Sequence, residues 1–374
     1  MREQLLKDVS RLVVKIGSSL IASRNLGLRE DRIERLTAEI SAIKQEGREV
    51  LIVTSGAIVS GLTKLGLTSS PKQLPVKQAA AAVGQSRLMW AYEKAFERFG
   101  QKVAQVLLTH QDLADRRRFL NARHTLTALL EFGVIPIINE NDTVAVDEIR
   151  FGDNDTLGGE VAHLVDAGLL VILSDVDGLF TADPRKHPHA TLIPLVEKVT
   201  DEIQQLAGDS ATLEGTGGMI TKVGTAKKIA AYGVGTLLLN GEQPGLLQSV
   251  LHGSQGGTLF LPQPRRLASR KHWIAFTLRS KGRLTLDDGA VQALVERGKS
   301  LLASGIIDID GNFQAGDAVS CMTRDGRECA KGLVNFSAEA LSRIKGLKTA
   351  DIRERYGQQE YEEVIHRDNL VLLD

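Results

Sequence analysis

Five polar stretches of this chain hold residue types that could act on a charged small molecule. The densest spans residues 139–155, Asn-Glu-Asn-Asp-Thr-Val-Ala-Val-Asp-Glu-Ile-Arg-Phe-Gly-Asp-Asn-Asp, where carboxylates and carboxamides crowd one turn-rich segment. Such side chains can hold an ammonium group or a Mg²⁺ ion, or fix two lysines near a phosphate. An acidic surface loop with helix caps uses the same residues. Near the N-terminus, Lys15 leads into Gly17, Ser18 and Ser19, a small-residue turn whose backbone N–H groups can approach an anion. It is not a Walker A loop, because no G-x-x-x-x-G-K-[ST] occurs in the chain. Thr54, Ser55, Gly56 and Ala57 form a second small, polar turn. Ser174, Asp175, Val176, Asp177 and Gly178 form a third, equally readable as a plain tight turn. The stretch Gly215, Thr216, Gly217, Gly218, Met219, Ile220, Thr221 and Lys222 sets glycines before a helical pattern, where unpaired N–H groups and the helix dipole favour phosphate.

Four of the stretches leave a short apolar run, that at Thr54 to Ala57 meeting a helix, and the fifth opens a helical pattern, so strand ends and a helix start must position them. The spacing predicts strands over 12–16, 50–53, 103–108, 134–138, 169–173 and 236–240. It predicts helices over 29–45, 75–99, 119–132, 156–165 and 245–251, and one running from the second glycine cluster to Ala231; Asn154 or Asp155 caps the fourth. The fully apolar run 169–173 suits a central parallel strand buried on both faces. This alternation predicts an α/β fold, a mainly parallel sheet sandwiched by helices, and in such sheets ligands collect outside the carboxyl ends of the strands. A proline-bearing basic segment near 262–271 marks a boundary. We therefore expect a catalytic domain over 1–261, a linker over 262–279 and a small mixed, β-barrel-like domain over 280–374.

Composition narrows the function by exclusion. Lys plus Arg equals Asp plus Glu at 46 each, so no net field favours nucleic acid or an anionic membrane. The longest dense apolar run is too short for a bilayer span, and residues 1–10 lack the apolar stretch of a signal peptide, so a cytoplasmic protein is expected. The two cysteines, Cys321 and Cys329, are too few for a disulfide framework and have no zinc-like histidine spacing. No protein-held metal is expected from them.

Taken in order, Val-Val-Lys15-Ile-Gly-Ser-Ser, Val-Thr-Ser55-Gly-Ala57, Asn139-Glu-Asn-Asp142, Gly-Asp153-Asn154-Asp155, Ser174-Asp175-Val-Asp-Gly-Leu-Phe-Thr-Ala-Asp-Pro and Gly-Thr216-Gly-Gly-Met-Ile-Thr-Lys222 resemble the glutamate 5-kinases of the amino acid kinase family. The tail, with Asp288-Gly289-Ala290, Gly311-Asn312-Phe313, Gly316-Asp317 and His366-Arg367, resembles a PUA domain. Coverage is essentially the full length. Each motif is weak by itself, but six in order are not a chance pattern.

The resemblance implies transfer of the ATP γ-phosphoryl group to the side-chain carboxylate of L-glutamate, giving L-glutamyl 5-phosphate, the first step of proline biosynthesis, with Mg²⁺ required. Lys15, Lys222 and Asp155 would be catalytic, the aspartate orienting both lysines. No general base is needed, since the nucleophile is already an ionised carboxylate at neutral pH. Ser55, Gly56, Asn139, Asp142, Asp153 and Asn154 would bind the amino acid, with Asp142 and Asp153 pairing its ammonium and so disfavouring an acylated amine. Lys15, Gly17, Ser174, Asp175, Thr216, Gly217, Gly218, Met219, Ile220, Thr221 and Lys222 would bind ATP. Gly158 and Gly159 are an unusual pair at a helix start. The family also implies proline as feedback inhibitor and a homo-oligomer, dimer or tetramer. Alternatives are a related kinase with another acceptor, or an RNA-binding PUA protein. Against RNA, residues 281–374 hold sixteen acidic against thirteen basic side chains and few aromatics.

Overall fold

The computed structural model describes residues 2–23, 27–67, 71, 73–145, 154–208, 218–263, 274, 278–356 and 362–373. The chain divides into two compact units, Met1–Arg266 and Leu267–Asp374. The first is built on an eight-stranded sheet. In chain order its strands are β1 (Arg11–Ile16), then a separate hairpin β2 (Ala22–Ser23) and β3 (Gly27–Leu28), then β4 (Glu49–Val53), β5 (Val103–Leu108), β6 (Ile135–Glu140), β7 (Leu169–Ser174), β8 (Leu195–Val196), β9 (Gly235–Asn240) and β10 (Thr258–Phe260). Their order across the sheet is β5-β6-β4-β1-β7-β9-β10-β8. Every pairing is parallel except β9 with β10. This is the α/β sheet expected from the alternation.

The reason lies in the strands themselves. In β1 all residues after Arg11 are buried, and β7 is buried throughout, so both strands need cover on two faces. Helices supply it. The apolar stripe Ile33, Leu36, Ile40 and Ile43 of the helix Glu30–Gln45 joins Leu12, Val14, Val50, Ile52 and Val171 in one core. Two further helices, Ala57–Lys64 and Leu74–Glu97, cross at unusually close range: a Cβ on Gly61 would stand 1.7 Å from the Ala80 carbonyl oxygen, and one on Gly84 would stand 1.8 Å from that of Ala57. Only glycine fits at either position.

From β1 the order runs to β4 and β6 on one side and to β7 and β9 on the other. The crevice above β1 is therefore the switch point of the sheet, where ligands bind in open α/β folds. The elements of this unit absent from the sequence reading are short: the hairpin, β8, β10 and the helices Arg2–Asp8, Ser18–Ile21, His110–Ala114 and Asp201–Gly208.

The second unit centres on a five-stranded mixed sheet of β11 (Gly282–Leu286), β13 (Ile306–Gly311), β14 (Ala318–Met322), β15 (Glu328–Leu333) and β17 (Leu370–Leu372), in the order β13-β11-β14-β15-β17, with β12 (Leu301–Leu302) pairing β16 (Glu363–Ile365) beside it. Leu284, Phe313, Val319, Leu341 and Val364 form its core together with Cys321 and Cys329, both buried and free. Ile274 packs on Val371, and the buried Lys331 ammonium donates to the Leu278 carbonyl, so the chain before β11 is already attached to this unit. Among the described residues no helix is long and apolar enough to cross a membrane.

Candidate active site

Lys15 stands next to last in β1, and Asp155 and Lys222 come from the first turns of two helices, Asn154–Leu164 and Met219–Ala230. They meet. Lys15 Nζ lies 2.6 Å from Asp155 Oδ1 and Lys222 Nζ lies 3.0 Å from Asp155 Oδ2, with Asp155 fully buried and both lysines nearly so. Burial alone would raise the Asp155 pKa, but the two ammonium charges outweigh it and hold the carboxyl below its ordinary value. The group is thus an anion gripped by two cations, one on each carboxylate oxygen. Thr221 adds a hydroxyl 3.4 Å from Oδ2 while donating to the Gly218 carbonyl at 2.7 Å.

Gly158 and Gly159 make this junction possible. A Cβ on Gly158 would lie 3.3 Å from the Lys15 Cβ and from Leu170, and one on Gly159 would lie 2.7 Å from the Thr225 methyl. The pair therefore lets one helix lie against both β1 and the helix that carries Lys222. The helix also begins earlier than expected, at Asn154 rather than after a cap at Asn154 or Asp155. Those two side chains reach distant partners.

On the other side of Asp155, Asn154 Nδ2 reaches the Thr54 carbonyl and Ser55 Oγ, both at 2.7 Å, and Asn139 Oδ1 at 3.2 Å. Asn139 in turn donates to Gln85 Oε1 at 2.8 Å. Gly56 adopts φ 95°, a left-handed turn that glycine enters without a Cβ penalty, and so steers the chain from β4 into its helix. A cavity of about 170 Å³ opens beside this network, lined among others by Gln85, Ser86, Gln105, Glu140 and Asp142. Burial, then the neighbouring Glu140 carboxylate, pushes the Asp142 pKa up to about 7. Burial also raises Glu140, with His110 acting against it. A carboxyl half neutral at pH 7 gains most from a cationic partner that restores its charge. Asp153 lies outside the described residues.

The loops after β1, β7 and β9 are stitched together by backbone bonds. The Gly17 amide donates to the Leu173 carbonyl at 3.1 Å, and that of Gly241 to the Ser174 carbonyl at 2.9 Å. The first bond corrects the expectation that the Gly17 amide is open to an anion: parallel pairing of β1 with β7 continues one residue past the strand and uses it. Gly17 still keeps the turn tight, since a Cβ there would lie 3.2 Å from the Leu173 oxygen. Ser174 is buried and donates to the exposed Asp175 at 3.1 Å. Asp177 accepts from Asn240 at 2.8 Å and Gln243 at 3.0 Å, which joins that loop to the next. Gly218 precedes its helix with open space where a Cβ would stand, and Met219 and Thr221 are half-buried and Ile220 exposed beyond it. Thr216 and Gly217 lie outside the described residues. Among the described residues, no cluster of three His, Cys, Asp or Glu side chains could hold a metal ion.

Two contributors carry no local signal in the sequence. Gln85 and Tyr92 sit in a regular helix, and only the three-dimensional network shows that they face the same loops as Asn139 and Ser55.

Comparison with known proteins agrees with this geometry. Residues 10–240 match the amino acid kinase family and residues 282–356 match the PUA domain. Proteins named glutamate 5-kinase are similar over the whole chain: 53% identity in Geobacter metallireducens and 51% in Geobacter sulfurreducens, each over 373 residues and the full length of both chains. One from Syntrophus aciditrophicus is 50% identical over 100% of this chain and 96% of its own. The sheet order, the lysine pair on its aspartate and these full-length similarities agree: the chain belongs to the amino acid kinase family and carries a PUA domain behind its kinase unit.

Proposed function

We propose that this chain transfers the γ-phosphoryl group of ATP to the side-chain carboxylate of L-glutamate, yielding L-glutamyl 5-phosphate, the first step of proline biosynthesis. The observation that carries this reading is an adjacency. Asn154 belongs to the amide network of the β4 and β6 loops, and Asp155, the next residue, holds both lysines. An amino-acid acceptor and a phosphoryl donor would therefore be registered by consecutive residues of one helix turn. Relatives that share about half the sequence over the full length bear the matching name.

Phosphoryl transfer between two anions is chiefly a matter of positioning and of neutralising charge on the group in flight. Lys15 and Lys222 supply the neutralisation from two sides. Asp155 fixes where they stand and acts on no proton. Asp142, and Asp153 with it, would read the ammonium of the acceptor, and Ser55, Gly56, Asn139 and Asn154 its polar groups. Lys15, Ser174, Asp175 and residues 216–222 would hold the nucleotide, with Gly17 keeping the turn beside them tight. With both Asp155 oxygens engaged by lysines, Mg²⁺ would enter on the nucleotide's phosphates, where it offsets part of their charge. Feedback inhibition by proline, a homo-oligomeric state and a cytoplasmic setting belong to the same reading, with RNA binding outside it.

The test is ATP- and Mg²⁺-dependent acyl-phosphate formation trapped with hydroxylamine, comparing L-glutamate, N-acetylglutamate and L-aspartate. Hydroxamate from L-glutamate alone is expected. Product from another acceptor would leave the lysine chemistry and overturn the substrate.

A further inference from the structure

The helix Leu74–Glu97 touches both loops of the acceptor side through polar atoms on one face. Tyr92, fully buried, places its hydroxyl 2.9 Å from Thr54 Oγ1. Gln85, seven residues and thus about two turns earlier on the same face, accepts from Asn139 Nδ2 at 2.8 Å. The Thr54 backbone carbonyl, whose place the Tyr92 bond to the Thr54 side chain fixes, and Asn139 Oδ1 then supply two of the three acceptors around Asn154 Nδ2, the third being Ser55 Oγ. A carboxamide has two N–H bonds, so three protein acceptors consume them. What remains to Asn154 is Oδ1, a hydrogen-bond acceptor. The helix itself cannot drift, because Gly84, next to Gln85, is in backbone contact with the helix that starts behind Ser55 and Gly56.

We propose that Tyr92 and Gln85 are positioning residues for the amino-acid acceptor: through Thr54 and Asn139 they hold Asn154 with its N–H groups turned to protein and its Oδ1 available to the substrate ammonium. This rests on the acceptor being an amino acid, as in the reading above. Neither residue touches the lysine junction directly, so their influence belongs to acceptor affinity and not to nucleotide affinity.

The experiment uses the full chain with Tyr92→Phe, which removes one oxygen and keeps the ring, and Gln85→Met, which keeps the volume and removes the acceptor. Each should raise KM for L-glutamate about three- to tenfold, the loss expected for one neutral hydrogen bond. KM for ATP should stay within about twofold and kcat should fall less than KM rises. Adding Thr54→Val to Tyr92→Phe should cost no more than Thr54→Val alone, because both remove the same bond. A lower Tm with both KM values intact would reduce Tyr92 and Gln85 to packing and overturn the proposal, as would equal shifts in the two KM values. If the unaltered chain forms no glutamyl hydroxamate, the functional reading falls by itself. Calorimetric binding of L-glutamate to the unaltered and Tyr92→Phe chains then decides the positioning claim, which equal affinity or no binding would sink.

Discussion

Asp155 keeps two ammonium groups within reach of each other, a position that their mutual repulsion would otherwise forbid. Asp155→Asn should leave two adjacent cations facing a neutral amide. Breaking a buried ion pair in this way costs about 3–5 kcal/mol, and turnover should fall by about 100-fold or more, since the lysines lose the anchor that aims them. Thermal unfolding with and without ATP checks the first part: the nucleotide should recover more Tm in the variant than in the parent. Lys222→Ala should lower kcat far more than it raises KM for glutamate, and Asp142→Ala should do the reverse; the opposite pattern would undo the division of roles. Asp142 also sets a pH dependence. Its pKa rises from 3.8 to about 7 in the folded chain, so its contribution to stability is fully present below the lower value and is lost as pH climbs through about 7. Substrate binding follows the opposite sign. Only the ionised carboxylate pairs well with an ammonium, so KM for glutamate should fall between about pH 6 and pH 8, a step that Asp142→Asn removes.

At the scale of elements, two glycine pairs hold the site together. Gly158 and Gly159 let the helix Asn154–Leu164 lie between β1 and the helix Met219–Ala230, and Gly61 and Gly84 let the helix behind Ser55 cross the long helix Leu74–Glu97. Gly159→Ala would press a methyl into Thr225 and Ile229, an overpacking that costs about 1–3 kcal/mol. Gly84→Ala meets backbone and cannot be relieved by a rotamer change, so its loss of Tm should be the larger of the two in a denaturation series. The sequence shows the strands that flank these glycines clearly, because β1, β4, β6, β7 and β9 are runs of aliphatic residues that end in small or polar ones. It also brings Lys15, Asp155 and Lys222 to notice: Lys15 stands two residues before Gly17, Asp155 follows Asn154, and Lys222 closes a glycine-rich stretch. It does not show why Gly158 and Gly159 stand at a helix start, since the reason lies in Lys15, Leu170, Thr225 and Ile229, which only the fold brings beside them. Tyr92 and Gln85 are equally silent: within a helix, a buried hydroxyl and an amide look like any other interior positions until Thr54 and Asn139 are placed opposite them.

Across the whole kinase unit, the sheet order separates the chain into two wings. Residues up to the end of β6 build β5, β6 and β4 on one side of β1, and residues from β7 onward build β7, β9, β10 and β8 on the other. The second unit, with its own core of Leu284, Phe313 and Leu341, is a separate folding problem, so substitutions that empty it should lower the stability of that unit while hydroxamate formation persists. Calorimetry resolving two transitions would check this. The passage from one wing to the other occurs once, through the segment between β6 and β7 that starts the helix bearing Asn154 and Asp155. A chain severed in that connector therefore divides into one piece holding Lys15, Ser55 and Asn139 and another holding Asp155 and Lys222. Neither piece owns a complete site, and the two meet along the parallel edge of β1 and β7, five residue pairs long, and through the core that joins Leu12 and Val14 to Val171 and Leu237. The enzyme is thus suited to use as a split reporter: two fragments, each silent alone, whose turnover reports their reassembly.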